Sequence, residues 1–183
     1  MSDETSRGFI FKGIKPLQEM NENAPYVLVI SHVDKTPPHI GLIINGLYYS
    51  LTINGPENGI NANQKKRHLK IKRIPTLFLT IFAPSYTPEH HEISAIFNFS
   101  ASLSDGATCL EPVNKIFSKY WNIEITKPLL FGLLESLEVN KLIDLCYYHE
   151  LNSGLIVKQT FTIRSYRLND VRSYIKSLTL QKN

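Results

Sequence analysis

Two runs of apolar, β-prone residues, His39-Ile40-Gly41-Leu42-Ile43-Ile44 and Leu47-Tyr48-Tyr49-Ser50-Leu51-Thr52-Ile53, meet at Asn45-Gly46. An Asn-Gly pair between strand-like runs is the strongest short-range signal for a two-residue β-hairpin, because both turn positions need positive φ. Loop length fixes register, so Ile44 is expected to face Leu47 and His39 to lie opposite Thr52. Side chains alternate along a strand, which puts His39, Gly41 and Ile43 on one face with Tyr48, Ser50 and Thr52. One imidazole then stands beside small hydroxyls, with open space at Gly41. The arrangement suits a chemical site, but on these residues alone a satisfied histidine at a strand edge is the favoured reading, since a catalytic histidine needs a partner within hydrogen-bond reach.

A chain of 183 residues is expected to form one domain over 1–183, with residues 1–8 as a polar tail. The net charge of +4 falls well short of a clustered basic stripe with interleaved aromatics, so no nucleic-acid partner is expected. No apolar run reaches the ~18 residues of a membrane span, and the polar N-terminus carries no secretory signal. A cytoplasmic location is therefore expected. Cys109 and Cys146 stand far apart without a CxxC pair, which offers neither a disulfide framework nor a zinc site. His90-His91-Glu92 falls on a helix, where adjacent residues diverge by ~100° and cannot face one ion together. No metal or cofactor is expected.

Along the chain, Phe9-Ile10-Phe11 begins ordered structure, and Lys15-Pro16 and 21–25 read as turns around a short helix or coil. Tyr26-Val27-Leu28-Val29-Ile30 is a continuous apolar run, fit for a central strand buried on both faces. Residues 54–64 are rich in Asn and Gly and read as a loop. The basic run 65–73 reads as an exposed edge strand whose lysines discourage edge pairing. Residues 75–82 read as a strand, and Thr87-Pro88-Glu89 opens a helix to about Phe97, followed by a loop over 98–107. A second helix runs from Cys109 to Trp121 and a third over 126–137. Runs 141–151 and 155–166 form a second hairpin about Asn152-Ser153-Gly154, and Asn169 or Asp170 caps a terminal helix ending near Leu178.

Thr108-Cys109-Leu110-Glu111 has the spacing of a capping box, and Pro112 lets either Thr108 or Cys109 serve as the cap. Either way Cys109 lands at a helix N-terminus, where orphan N–H groups and the dipole lower a thiol's pKa. Such a cysteine is half of a nucleophile–base pair, or a small apolar cap residue. Cys146, in a strand-like run, is expected to be buried and inert.

The strand carrying His39-Ile40-Gly41, its hairpin, and then Thr108-Cys109-Leu110 leading into Val113, Ile116 and Phe117, together resemble the circularly permuted branch of the NlpC-type papain-like hydrolases. That branch includes relatives of lecithin:retinol acyltransferase and the PPPDE peptidases. The resemblance covers residues 26–121 and leaves 126–183 as a C-terminal extension of helix, hairpin and helix. It implies an α+β papain-like domain, an antiparallel sheet packed against a helix that starts at the nucleophile cysteine. Cys109 would be the nucleophile, His39 the base, and the Cys109 N–H an oxyanion donor. The family's third, orienting residue would sit on the neighbouring strand, where Thr52 fits by register and Ser50 is second choice. A hydroxyl orients an imidazole without compensating its charge, and in that respect the chain departs from the family.

The implied function is that of a cysteine peptidase, amidase or acyltransferase, acting on an amide, peptide or acyl bond without a cofactor. The alternative is an inactive papain-like binding or scaffold domain. The apolar run Leu129-Leu130-Phe131, Leu133-Leu134 offers a surface for an acyl chain or partner, or a buried core helix.

Overall fold

The computed structural model describes residues 8–101, 108–127, 129–152, 154 and 156–180. Residues 1–7 of the expected tail, and most of the expected loop before Cys109, over 102–107, lie outside them. Strand β3 (Tyr26–Ser31) is buried at every position, as its unbroken apolar run requires of a strand covered on both faces. It pairs antiparallel with β4 (His39–Ile44) and β7 (Thr76–Ile81). Strand β4 continues through Asn45-Gly46 into β5 (Leu47–Thr52), with φ of 50° and 78° at the two turn residues. Gly41 pairs with Ser50, Ile43 with Tyr48, and Ile44 with Leu47, which is the register the turn dictates.

These strands belong to a seven-stranded sheet of order β2-β8-β7-β3-β4-β5-β6, with β2 (Lys15–Pro16), β6 (Gly55–Asn61) and β8 (Ile143–His149). Every pairing is antiparallel except β2 with β8. A separate two-stranded sheet joins β1 (Phe9–Lys12) to β9 (Thr160–Ile163). The fold is thus mixed α+β, with helices on both faces of the main sheet.

Alternation sorts the core into two. Ile40, Leu42, Ile44, Tyr49 and Leu51 pack with Ile93 and Phe97 of α2 (His90–Ala101) and with Val113, Ile116 and Phe117 of α3 (Leu110–Tyr120). On that side Leu130, Leu133, Leu134 and Leu137 of α4 (Leu130–Val139) are fully buried, so this run is a core helix and not a docking surface. On the opposite face Val27, Val29, Ile43, Tyr48 and Phe78 pack with Ala62 and Leu69 of α1 (Ala62–Ile71).

The structure overturns several local expectations. Residues 55–61 form β6 rather than a loop, and 62–71 form α1 rather than an edge strand. The Asn61 side chain caps α1, accepting from the N–H groups of Asn63 (3.0 Å) and Gln64 (3.1 Å). Leu69 is its main buried anchor, Lys65 is partly buried and Lys70 exposed, and helical capping outweighs the apparent alternation. Helix α2 extends through Asn98 to Ala101. Helix α4 begins at Leu130, later than expected. Strands β8 and β9 do not pair with one another, because β8 is taken by β7 and β2 and β9 by β1. In the expected turn between them Ser153 and Leu155 lie outside the described residues. Lys15-Pro16, read as a turn, is the short parallel strand β2. Among the described residues no helix is long and apolar enough to cross a membrane.

The Asn61 cap gives a direct test of the α1 assignment. Asn61→Ala is expected to lower stability by about 1 kcal/mol, measured by urea denaturation, with Asn61→Asp close to the parent. A loss below a few tenths would contradict the cap.

Candidate functional site

His39 opens β4 opposite Ser31, whose hydroxyl donates to the His39 carbonyl at 3.4 Å. By alternation its ring stands on the α1 face, in line with Gly41 and Ile43. Cys109 arrives from the other face as the residue immediately before α3. Its sulfur meets the backbone N–H of Ile40, the residue after His39, as well as its own N–H. His39 and Cys109 both line one cavity of about 610 Å³. Lys65 and His68 of α1 line it on one side, and Val171 and Tyr174 of α5 (Leu168–Leu180) on the other.

Two expectations about Cys109 are corrected. The capping box does not form: Cys109 makes no side-chain cap hydrogen bond, and the Glu111 carboxylate is taken by Lys115 at 2.8 Å. The thiol's pKa is raised, not lowered. The residue keeps partial exposure, yet its sulfur is so far withdrawn from water that desolvation outweighs the two N–H groups facing it. Cys146 is buried, and burial alone pushes its thiol up to about 12.

The His39 imidazole is lowered to about 4, first by burial and then by the Lys65 cation, with Glu57 pulling the other way. At neutral pH the site therefore holds a neutral imidazole and a protonated thiol.

Neither hydroxyl expected to orient the ring is free to do so. Thr52 lines the cavity, but its Oγ1 donates to the Gly55 carbonyl at 2.8 Å and accepts from the Asn54 N–H at 3.2 Å, which closes the β5–β6 turn. Ser50 is fully buried and donates to Glu57 Oε2 at 2.6 Å. Its single proton is thus committed to the carboxylate. Nor is there space at Gly41. A Cβ there would lie 2.4 Å from the Tyr48 hydroxyl oxygen, because the tyrosine ring lies across the glycine.

Glu57 and Lys65 are the functional candidates that sequence reasoning missed. Glu57 sits on β6 directly across from Ser50, and its Oε2 also accepts from Lys65 Nζ at 2.7 Å. Burial opposes ionisation of Glu57, but hydrogen bonds from Lys65 and Ser50 hold its carboxyl below the ordinary carboxylate range. Lys65 Nζ lies 4.5 Å over the Tyr48 ring. The usable signal was the second tight turn, Thr52 to Gly55, which brings a strand carrying Glu57 alongside Ser50. The adjacent histidines of α2 stand elsewhere and are exposed; His90 Nδ1 lies 2.8 Å from the Tyr49 hydroxyl oxygen, and His91 Nδ1 lies 3.2 Å from the Glu89 carboxylate.

No protein-family model, curated protein or solved structure matches the chain.

Two expectations follow from this geometry. Below pH 6.5 the unfolded chain protonates His39 while the folded chain resists until about pH 4. Stability should therefore fall as the pH drops through that window and level off beneath it, by a total on the order of 3 kcal/mol. Urea titrations of the parent and His39→Gln, which cannot titrate, should diverge accordingly, and parallel curves would refute the low imidazole pKa. Separately, Gly41→Ala should cost about 1–3 kcal/mol through overpacking. Thermal unfolding of Gly41→Ala with and without Tyr48→Phe checks it, since loss of the hydroxyl should recover part of the deficit.

Proposed function

We propose that the chain is a papain-like cysteine hydrolase or acyltransferase that acts on an amide, peptide or acyl bond. The observation that carries this reading is the convergence of Cys109 and His39, from distant parts of the chain, on the wall of one cavity. The antiparallel sheet and the helix that begins beside the cysteine are consistent with it.

Because thiol and imidazole are both neutral at rest, the chemistry is general-base catalysis rather than attack by a standing thiolate. As the sulfur bonds to the carbonyl carbon, its proton passes to the imidazole. Collapse of the tetrahedral adduct breaks the bond to the leaving group, which takes that proton, and leaves a thioester on Cys109. Water or another acceptor then cleaves the thioester and restores the thiol. The apolar residues Leu51, Leu69, Ile74, Val171 and Tyr174 give the cavity a lining suited to a hydrocarbon-bearing substrate.

The alternative, a binding domain with a silent site, draws support from the raised thiol pKa. Alkylation with iodoacetamide at neutral pH, read by peptide mass spectrometry, separates the two. Cys109 should be modified and Cys146 not, and His39→Ala should slow the modification roughly a hundredfold. Equal inertness of both thiols, or a rate indifferent to His39→Ala, would favour the silent site.

A further inference from the structure

The cavity shared by Cys109 and His39 has two chemically different parts. Its apolar wall draws on both cores: Leu51 and Val171 from the one beneath α2 and α3, Leu69 and Ile74 from the one beneath α1, with Tyr174 of α5 beside them. Its nitrogen-bearing part includes Lys65 and His68 of α1 and His32, in the connection from β3 to β4. Among the described residues that line it there is no aspartate or glutamate. Glu57, which holds Lys65 at 2.7 Å, is not in the wall, so the ion pair shows the cavity its cation.

Lys65 is held in that place. Its side chain retains only 16% exposure, its Nζ lies 4.5 Å over the Tyr48 ring, and its backbone belongs to the first turns of a helix capped by Asn61. An ammonium has three N–H donors, and Glu57 takes one of them. The lining hydroxyls of Ser31 and Thr52, by contrast, already donate to the carbonyls of His39 and Gly55. A purely hydrocarbon ligand that expels water from this cavity strips the lysine of hydration and returns no hydrogen bond. A ligand with an anionic end avoids that cost by accepting from the ammonium, whereas a cationic end meets like charge.

We propose that the substrate of the cysteine site is an amphiphilic anion, with its hydrocarbon part against Leu51, Leu69, Ile74 and Val171 and its single anionic group, carboxylate or phosphate, on the Lys65 ammonium. This names the substrate class for the cysteine-hydrolase reading and rests on that reading for the bond that is cleaved. Lys65 is the residue that selects by charge, and Glu57 the one that holds it in place.

NMR titration of the full chain with octanoate, octyl phosphate, octanol and octyltrimethylammonium, each below its micelle concentration, reads affinity and place together through the Tyr174 and His39 ring signals. At least one of the two anions should bind about tenfold or more tightly than octanol, and the ammonium more weakly than octanol. Whichever anion binds more tightly identifies the group that Lys65 receives. Lengthening hexanoate to octanoate should tighten binding by about tenfold as the added methylenes are buried. Lys65→Met keeps the apolar stem and removes the charge; it should bring the anions down to the affinity of octanol, with octanol itself unchanged as the sign of an intact cavity. Lys65→Arg should keep the preference. If Lys65→Met fails to fold, Glu57→Gln/Lys65→Met makes the same comparison without leaving an unpaired carboxylate. Octanol bound as tightly as both anions in the parent, an anion preference that survives loss of the lysine, or ring signals unmoved by every probe would overturn the proposal. The wider reading fails by a different result: modification of Cys109 indifferent to His39→Ala, with the anion preference intact, removes the reaction and leaves a binding cavity.

Discussion

The antiparallel register of β3, β4 and β5 is the constraint on which the other features depend. Because the sheet is covered on both faces, each of these strands has to satisfy two cores at once, and a shift by one residue would exchange them. Asn45 and Gly46, both at positive φ, set that register locally. Everything at the site inherits it: His39 opposite Ser31, Gly41 opposite Ser50, Ser50 opposite Glu57.

Desolvation, more than the helix dipole, decides the protonation states there. Cys109 stands at the N-terminal end of α3, and its own N–H and that of Ile40 meet the sulfur, yet withdrawal from water prevails. The same force acts with opposite sign on the imidazole, because burial penalises whichever form is charged, the thiolate in one case and the imidazolium in the other. Thiol and imidazole are thus driven apart in pKa and toward neutrality, which excludes a standing thiolate–imidazolium pair at neutral pH.

What could be read in the sequence was what local chemistry decides. The Asn-Gly hairpin, the doubly buried β3 and the helix beginning beside Cys109 follow from turn preference, apolar run length and helical periodicity, and all three are present. The readings that failed turned on competition between neighbours. Lysines interspersed with Leu69 and Ile71 mimic an alternating strand, but Ile71 is exposed and the Asn61 cap commits the segment to helix. Strands β8 and β9 resemble a hairpin until each finds a partner from the first part of the chain, which no local pattern announces. Glu57 was hidden for the same reason, since its meaning comes from lying across from Ser50 and beneath Lys65, two contacts fixed only when β6 and α1 are in place.

Gly41 and Tyr48 form a single steric unit, with the ring occupying the volume that the missing Cβ leaves vacant. In evolutionary terms the two positions are not independent. A lineage that gained a side chain at the first would have to shrink the second, and in doing so would remove the aromatic floor on which Lys65 rests. Divergence at this point of the strand would therefore register as paired replacement.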